Sequence, residues 1–310
     1  MKSIDEQIAQ ELYFEKYKYK VIDQLETDLK KLYEEVTTMY ILSEDYSRYQ
    51  IEMSIKEIER KINDIFDNVE DDSVSELSLL TAAFLATESR LLGEKFSKDL
   101  LKDVFKFDTA IVQGYTLSEM IASVKTSLTV GIRKSFISRT GYESLKGSIL
   151  KGTSSKMFTA LSTYSKFLRE ETRVNTEKKS KRIKGFISLA TLDNRTSPIC
   201  ISLDKMIYKI EEYPSRDAIP NRPPRHFRCR SIIARLYANT KIERDALGDN
   251  GKNIVDGRTT FNSFLKRNPK TARDILGKKR FELFESGKYS VKDFISDRGV
   301  FFTLEELAKK

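Results

Sequence analysis

The sequence predicts a mainly α-helical protein with a small β-containing C-terminal domain, an α+β organisation led by a long N-terminal helical hairpin. Three observations carry this. Apolar residues recur at spacings of three and four through residues 4–70, the period of a helix with one buried face. Gly (13) and Pro (6) are scarce among 310 residues, which argues against an all-β or loop-dominated chain. Runs rich in β-compatible residues begin only after Lys184-Gly185.

The hairpin is read from two stripes. Val21, Leu25, Leu29, Leu32, Val36 and Met39 form one; Ile51, Ile55, Ile58, Ile62, Ile65 and Val69 form the other, with heptad-type spacing. Ser43-Glu44-Asp45 between them reads as a break with an N-cap. The stripes serve as core, with a partner-binding coiled coil as the functional alternative. The polar, acidic run 68–75 reads as a linker or turn, which sets off residues 1–75 as an acidic helical arm. Helices are expected at 76–92 (ending near Gly93), 97–112, 116–127 and 155–178, and Thr116-Leu117-Ser118-Glu119 has the form of a capping box. Together they make a basic helical body over 76–184. Residues 185–310 form the third expected domain. Strands are expected at 186–192 and 231–237, separated by an irregular excursion over 193–230 that holds five of the six prolines. Residues 241–260, with Gly248, Gly251 and Gly257, read as a flexible loop; short helices are expected at 260–267, 270–276, 278–285 and 303–309.

The net charge of +9 is unevenly placed. Residues 1–80 hold 10 basic and 20 acidic side chains, residues 81–310 hold 45 and 26, and residues 121–230 hold 23 and 9. A basic body can neutralise phosphates and release their counterions, whereas an acidic arm suits a protein partner. The densest basic cluster, Lys178, Lys179, Lys181, Arg182 and Lys184, is the first candidate for DNA contact; Arg133, Lys134 and Lys151 are others. No helix-turn-helix or finger motif points to sequence-specific reading. The longest apolar run, Leu77 to Thr87, is too short to cross a bilayer. The N-terminus is acidic and amphipathic, unlike a signal peptide. The expectation is a chain made and used in a cytoplasm, with no membrane role during assembly.

The most informative stretch is Asp193-Asn194-Arg195-Thr196-Ser197-Pro198-Ile199-Cys200, then Pro223-Pro224-Arg225-His226-Phe227-Arg228-Cys229-Arg230-Ser231. A long loop between two strands needs internal fixings. Asp193, Arg195, Arg225 and Arg230 can supply charge-assisted hydrogen bonds, and Cys200, His226 and Cys229 could converge. Four readings of that trio stay open. One is a zinc ion, whose fourth ligand would be Asp193, Asp204 or water. A second is a Cys200–Cys229 disulfide, and a third a Cys–His nucleophilic dyad. The last is two buried thiols beside a hydrogen-bonded His. Nucleases gather several carboxylates around metal ions; residues 186–230 offer only Asp193, Asp204, Glu211, Glu212 and Asp217, in no recognisable metal spacing.

These two runs closely resemble the signature of the phage head-morphogenesis family, which includes the Mu F-like minor head proteins: an aspartate, an Arg-Thr-Ser/Cys-Pro-x-Cys run, a variable insert, then His-x-x-Cys-Arg. The matching positions are Asp193, Arg195, Thr196, Pro198, Cys200, His226, Cys229 and Arg230, with Pro224 beside them. Phe264-Leu265-Lys266, Ile275-Leu276-Gly277, Arg280-Phe281, Gly287-Lys288, Phe294 and Thr303-Leu304-Glu305-Glu306-Leu307 resemble the family's tail, so the likeness runs over about residues 155–310. Ser188 stands where the family commonly has Trp, and Ser197 and Ser231 where some members have further cysteines. The resemblance implies a non-enzymatic minor head protein of a tailed bacteriophage, located in the virion at the capsid interior or portal vertex. The implied partners are portal protein, major capsid or scaffold protein and packaged double-stranded DNA, with a role in head assembly and genome packaging or ejection. The alternative is a phage-encoded nuclease or Cys-dependent hydrolase using the Cys200/His226 region.

Overall fold

The structure is a computed structural model that describes residues 2–93, 96, 98–104, 109–138, 146–178, 182–237 and 243–309. It is mainly helical, with a long N-terminal helix pair and a small antiparallel sheet region toward the C-terminus. Two compact units divide the chain: Met1–Thr176 with His226–Arg228, and Glu177–Arg225 with Cys229–Lys310.

In the first unit, α1 (Lys2–Leu42) and α2 (Arg48–Leu92) form the hairpin. Lys20 pairs with Glu76 and Lys61 with Glu35, which fixes the antiparallel register. Most of both predicted stripes is buried, including Leu25, Leu29, Leu32 and Val36 on α1 and Ile55, Ile58 and Ile62 on α2, while Met39, Ile51 and Ile65 are half-buried against them. Ser47 and Gln50 form the capping box of α2, and Gly93 ends it in the left-handed region at φ 75°, where a residue without Cβ meets no steric penalty.

The linker expected at 68–75 is helix. Val69, Ser73 and Leu77 carry the buried face straight through it at four-residue spacing, no Gly or Pro interrupts α2, and Asp71 and Asp72 face solvent. A domain boundary at 75/76 therefore falls inside a continuous helix. A short helix, α3 (Lys98–Val104), follows. The box at Thr116 and Glu119 forms as predicted, with both reciprocal hydrogen bonds in place, and opens α4 (Leu117–Ser138), longer than the sequence suggested. Helix α5 (Thr153–Glu177) is buried round most of its later circumference despite its polarity. Its charges are paired or stacked: Arg173 reaches Glu88 at 3.6 Å and Glu170 at 3.3 Å, and the guanidinium of Arg169 lies 5.5 Å from the centre of the Phe14 ring. Burial pushes Arg169 down to about 10.

In the second unit, β1 (Gly185–Leu189), β2 (Ile207–Lys209) and β3 (Ile232–Leu236) form an antiparallel sheet in the order β2-β1-β3. Buried Glu177 lies beside it, held by both forks of buried Arg216 at 2.6 and 2.8 Å and by Arg235 at 2.5 Å. The excursion expected to be irregular contains α6 (Pro198–Ser202) and β2. The loop expected at 241–260 is largely a hairpin, β4 (Glu243–Gly248) and β5 (Gly251–Asp256). Its mostly exposed residues lack the apolar alternation by which a strand is recognised. Helices α7 (Phe261–Arg267), α8 (Pro269–Glu285) and α9 (Leu304–Ala308) complete the unit. The two predicted helices either side of 277 are α8, interrupted at Gly277 with φ 69°. Leu192, Ile201, Phe261, Phe264, Leu276, Phe284 and Phe294 make the unit's main apolar core, and Cys200 and Cys229 belong to it. Among the described residues no helix is long and apolar enough to cross a membrane.

Candidate functional site

The sheet explains why the two halves of the motif meet. Leu189, the last residue of β1, pairs with Ile232, the first of β3. The chain leaving β1 and the chain entering β3 therefore start side by side.

Asp193 and Arg230 join the halves. Arg230 grips the carboxylate with both terminal nitrogens, one of them at 2.8 Å from Oδ1. Oδ1 also accepts the Arg195 N–H at 3.0 Å and the Thr196 hydroxyl at 2.9 Å. Burial alone would push the Asp193 carboxyl up; the Arg230 guanidinium and these hydrogen bonds outweigh it and hold it below the usual carboxylate range. The Arg195 side chain is 71% exposed and lies 3.8 Å from Asp193, so its backbone does more at the site than its guanidinium. Pro198 opens α6 at a position where a missing N–H costs nothing, and this short helix sets Cys200 into the core.

The second half supplies the facing groups. Pro224 is buried and follows a cis peptide bond. Arg225 donates to Ser188 Oγ at 2.8 Å and to the Asn221 carbonyl at 2.7 Å, and a third nitrogen lies 3.8 Å from Cys200 Sγ. The Sγ atoms of Cys200 and Cys229 are 3.8 Å apart and both residues are buried. The neighbouring thiol and burial together push the Cys229 thiol up. His226 Nδ1 lies 2.8 Å from the Phe227 carbonyl oxygen. Cys200, His226 and Cys229 each bring a ligand atom within 4.8 Å of the others, the convergence anticipated from sequence.

Neither aspartate proposed to complete a metal site is available to do so. Asp193 is committed to Arg230. Asp204 is buried and accepts from the Ala190 and Phe261 N–H groups at 2.9 and 3.1 Å and from Arg244 at 2.8 Å. Arg244 is the residue that sequence reasoning missed. It lies on β4, 40 positions from Asp204, and is buried. An isolated Arg in a charged run carries no signal that its partner is a distant buried carboxylate.

Of the basic cluster, Lys178, Arg182 and Lys184 are exposed, and Lys179 and Lys181 lie outside the described residues. Lys134 and Lys151 are exposed as well. Arg133 is not available as expected: Glu52 and Glu59 on α2 hold its guanidinium, the latter at 2.9 Å. Counted by unit, the second holds 29 basic and 17 acidic residues, a balance of +12, and the first 26 and 29, a balance of −3.

No family model matches the chain, and neither a curated protein nor a solved structure matches it.

Proposed function

We propose that the protein is a minor head protein of a tailed bacteriophage, associated with the portal vertex. Its second unit would contact packaged double-stranded DNA without reading sequence, and the chain would serve head assembly and genome packaging or ejection. The observation that carries this reading is the closure of the motif. Three of the residues that resemble the head-morphogenesis signature are spent on one another, Asp193 on Arg230 and Thr196, and Arg225 beside them is spent on Ser188, as in a scaffold whose purpose is shape. The +12 balance of the unit that bears them supports phosphate contact. The nuclease alternative gains nothing from Asp193 and Asp204, whose oxygens already hold arginines.

The acidic face of α1 and α2 is offered to portal, major capsid or scaffold protein, and no membrane partner is proposed. The test is a mass-spectrometric inventory of procapsids and virions purified from the encoding phage, with copy number measured against portal protein. Presence at low copy supports the proposal; absence from both particles ends it. Loss of assembly in Cys200→Ser and His226→Ala particles without any measurable turnover by the purified chain separates scaffold from enzyme.

A further inference from the structure

We infer that Cys200, Cys229 and His226 bind one zinc ion whose fourth ligand is a solvent-derived oxygen. This inference does not rest on the head-protein reading. Three geometric facts lead to it. First, two thiolates at about 2.3 Å from a tetrahedral zinc stand about 3.8 Å from each other, and the Cys200 and Cys229 sulfurs are 3.8 Å apart. Second, a carbonyl oxygen only accepts, so the contact from His226 to the Phe227 carbonyl at 2.8 Å places the proton on Nδ1. That leaves the lone pair on Nε2 as the ligating atom. A backbone carbonyl on the distal nitrogen is a common way to orient a metal-bound imidazole. Third, a positive charge stands beside one of the sulfurs, where it offsets the charge of a thiolate ligand. An Arg225 nitrogen lies 3.8 Å from Cys200 Sγ.

His226 and Cys229 lie three residues apart on one loop, a spacing suited to chelation, and Cys200 comes from α6. With Asp193 and Asp204 engaged by arginines, the cluster among the described residues offers three protein ligands. Zinc readily takes water in the fourth place. Binding replaces the two thiol protons, which leave to solvent, so affinity falls as pH is lowered.

The test uses the full chain purified under reducing conditions without chelator. The expected result is one zinc per chain by elemental analysis. Both thiols should be slow toward a thiol reagent until a chelator strips the metal. Exchange with Co(II) should give thiolate-to-cobalt absorption and the intense visible bands of four-coordination. Cys229→Ser should lose the thiolate band in proportion and His226→Ala should shift the visible envelope. If either variant fails to fold, the zinc content, thiol protection and cobalt spectrum of the unaltered chain decide the matter. A chain that neither retains nor takes up zinc overturns the inference, whatever the rate at which its buried thiols react, and so does one isolated with Cys200 and Cys229 joined as a disulfide.

Discussion

Asp193 is 1% exposed and stays charged because Arg230 and Thr196 surround it with donors. Truncating Arg230 to Ala would leave that carboxylate buried with its best partner gone. Arg230 itself is 37% exposed at its side chain, so water can re-enter and the cost falls below that of a fully enclosed pair. We expect a loss of about 2 kcal/mol in urea denaturation, with Arg230→Lys between the two because it keeps the charge and loses the fork. The acid limb is a second check. The carboxyl of Asp193 is held below its ordinary value in the fold. Its contribution is therefore complete above about pH 4 and is lost as pH falls through the lower folded value. In Asp193→Asn that part of the acid dependence should disappear; an unchanged acid limb would mean the pair carries no net stability.

Among the elements, α2 offers a direct test of continuity. A linker at 68–75 would accept proline, but a helix interior would not. Asp72→Pro, at an exposed position, should cost about 3 kcal/mol or more by removing a backbone donor and crowding the preceding turn. An unchanged denaturation midpoint would restore the linker. The helices were largely legible in the sequence because their signals are local. The stripes, the Thr116/Glu119 box and the interruption at Gly277 each lie within a few residues of what they determine. The motif halves were legible too, as residue types whose chemistry needs company. Strand β2 was not, since Ile207-Tyr208-Lys209 is too short to show a period. Arg244 and Arg216 were not, because a charged side chain reads as surface until the buried carboxylate that retains it, Asp204 or Glu177, is brought there by the tertiary fold.

For the whole molecule, the division of charge between the units makes a prediction about DNA. Glutamate in place of Lys178, Arg182 and Lys184 together should weaken duplex binding about equally on two unrelated sequences. The slope of log affinity against log salt should flatten by roughly 3 for the contacts removed. Full affinity in the triple variant would move the contact elsewhere on the second unit. The paired helices of the first unit have a mechanical consequence of their own. An uninterrupted helix of 45 residues is a ruler about 68 Å long, graduated by the recurrence of its apolar side chains. Excising seven residues from each helix at matched heights should shorten the ruler by about 10 Å and leave those graduations aligned. Excising five should rotate them out of phase and unfold the pair. Whatever the far end of this rod touches, its distance is written in the number of amino acids.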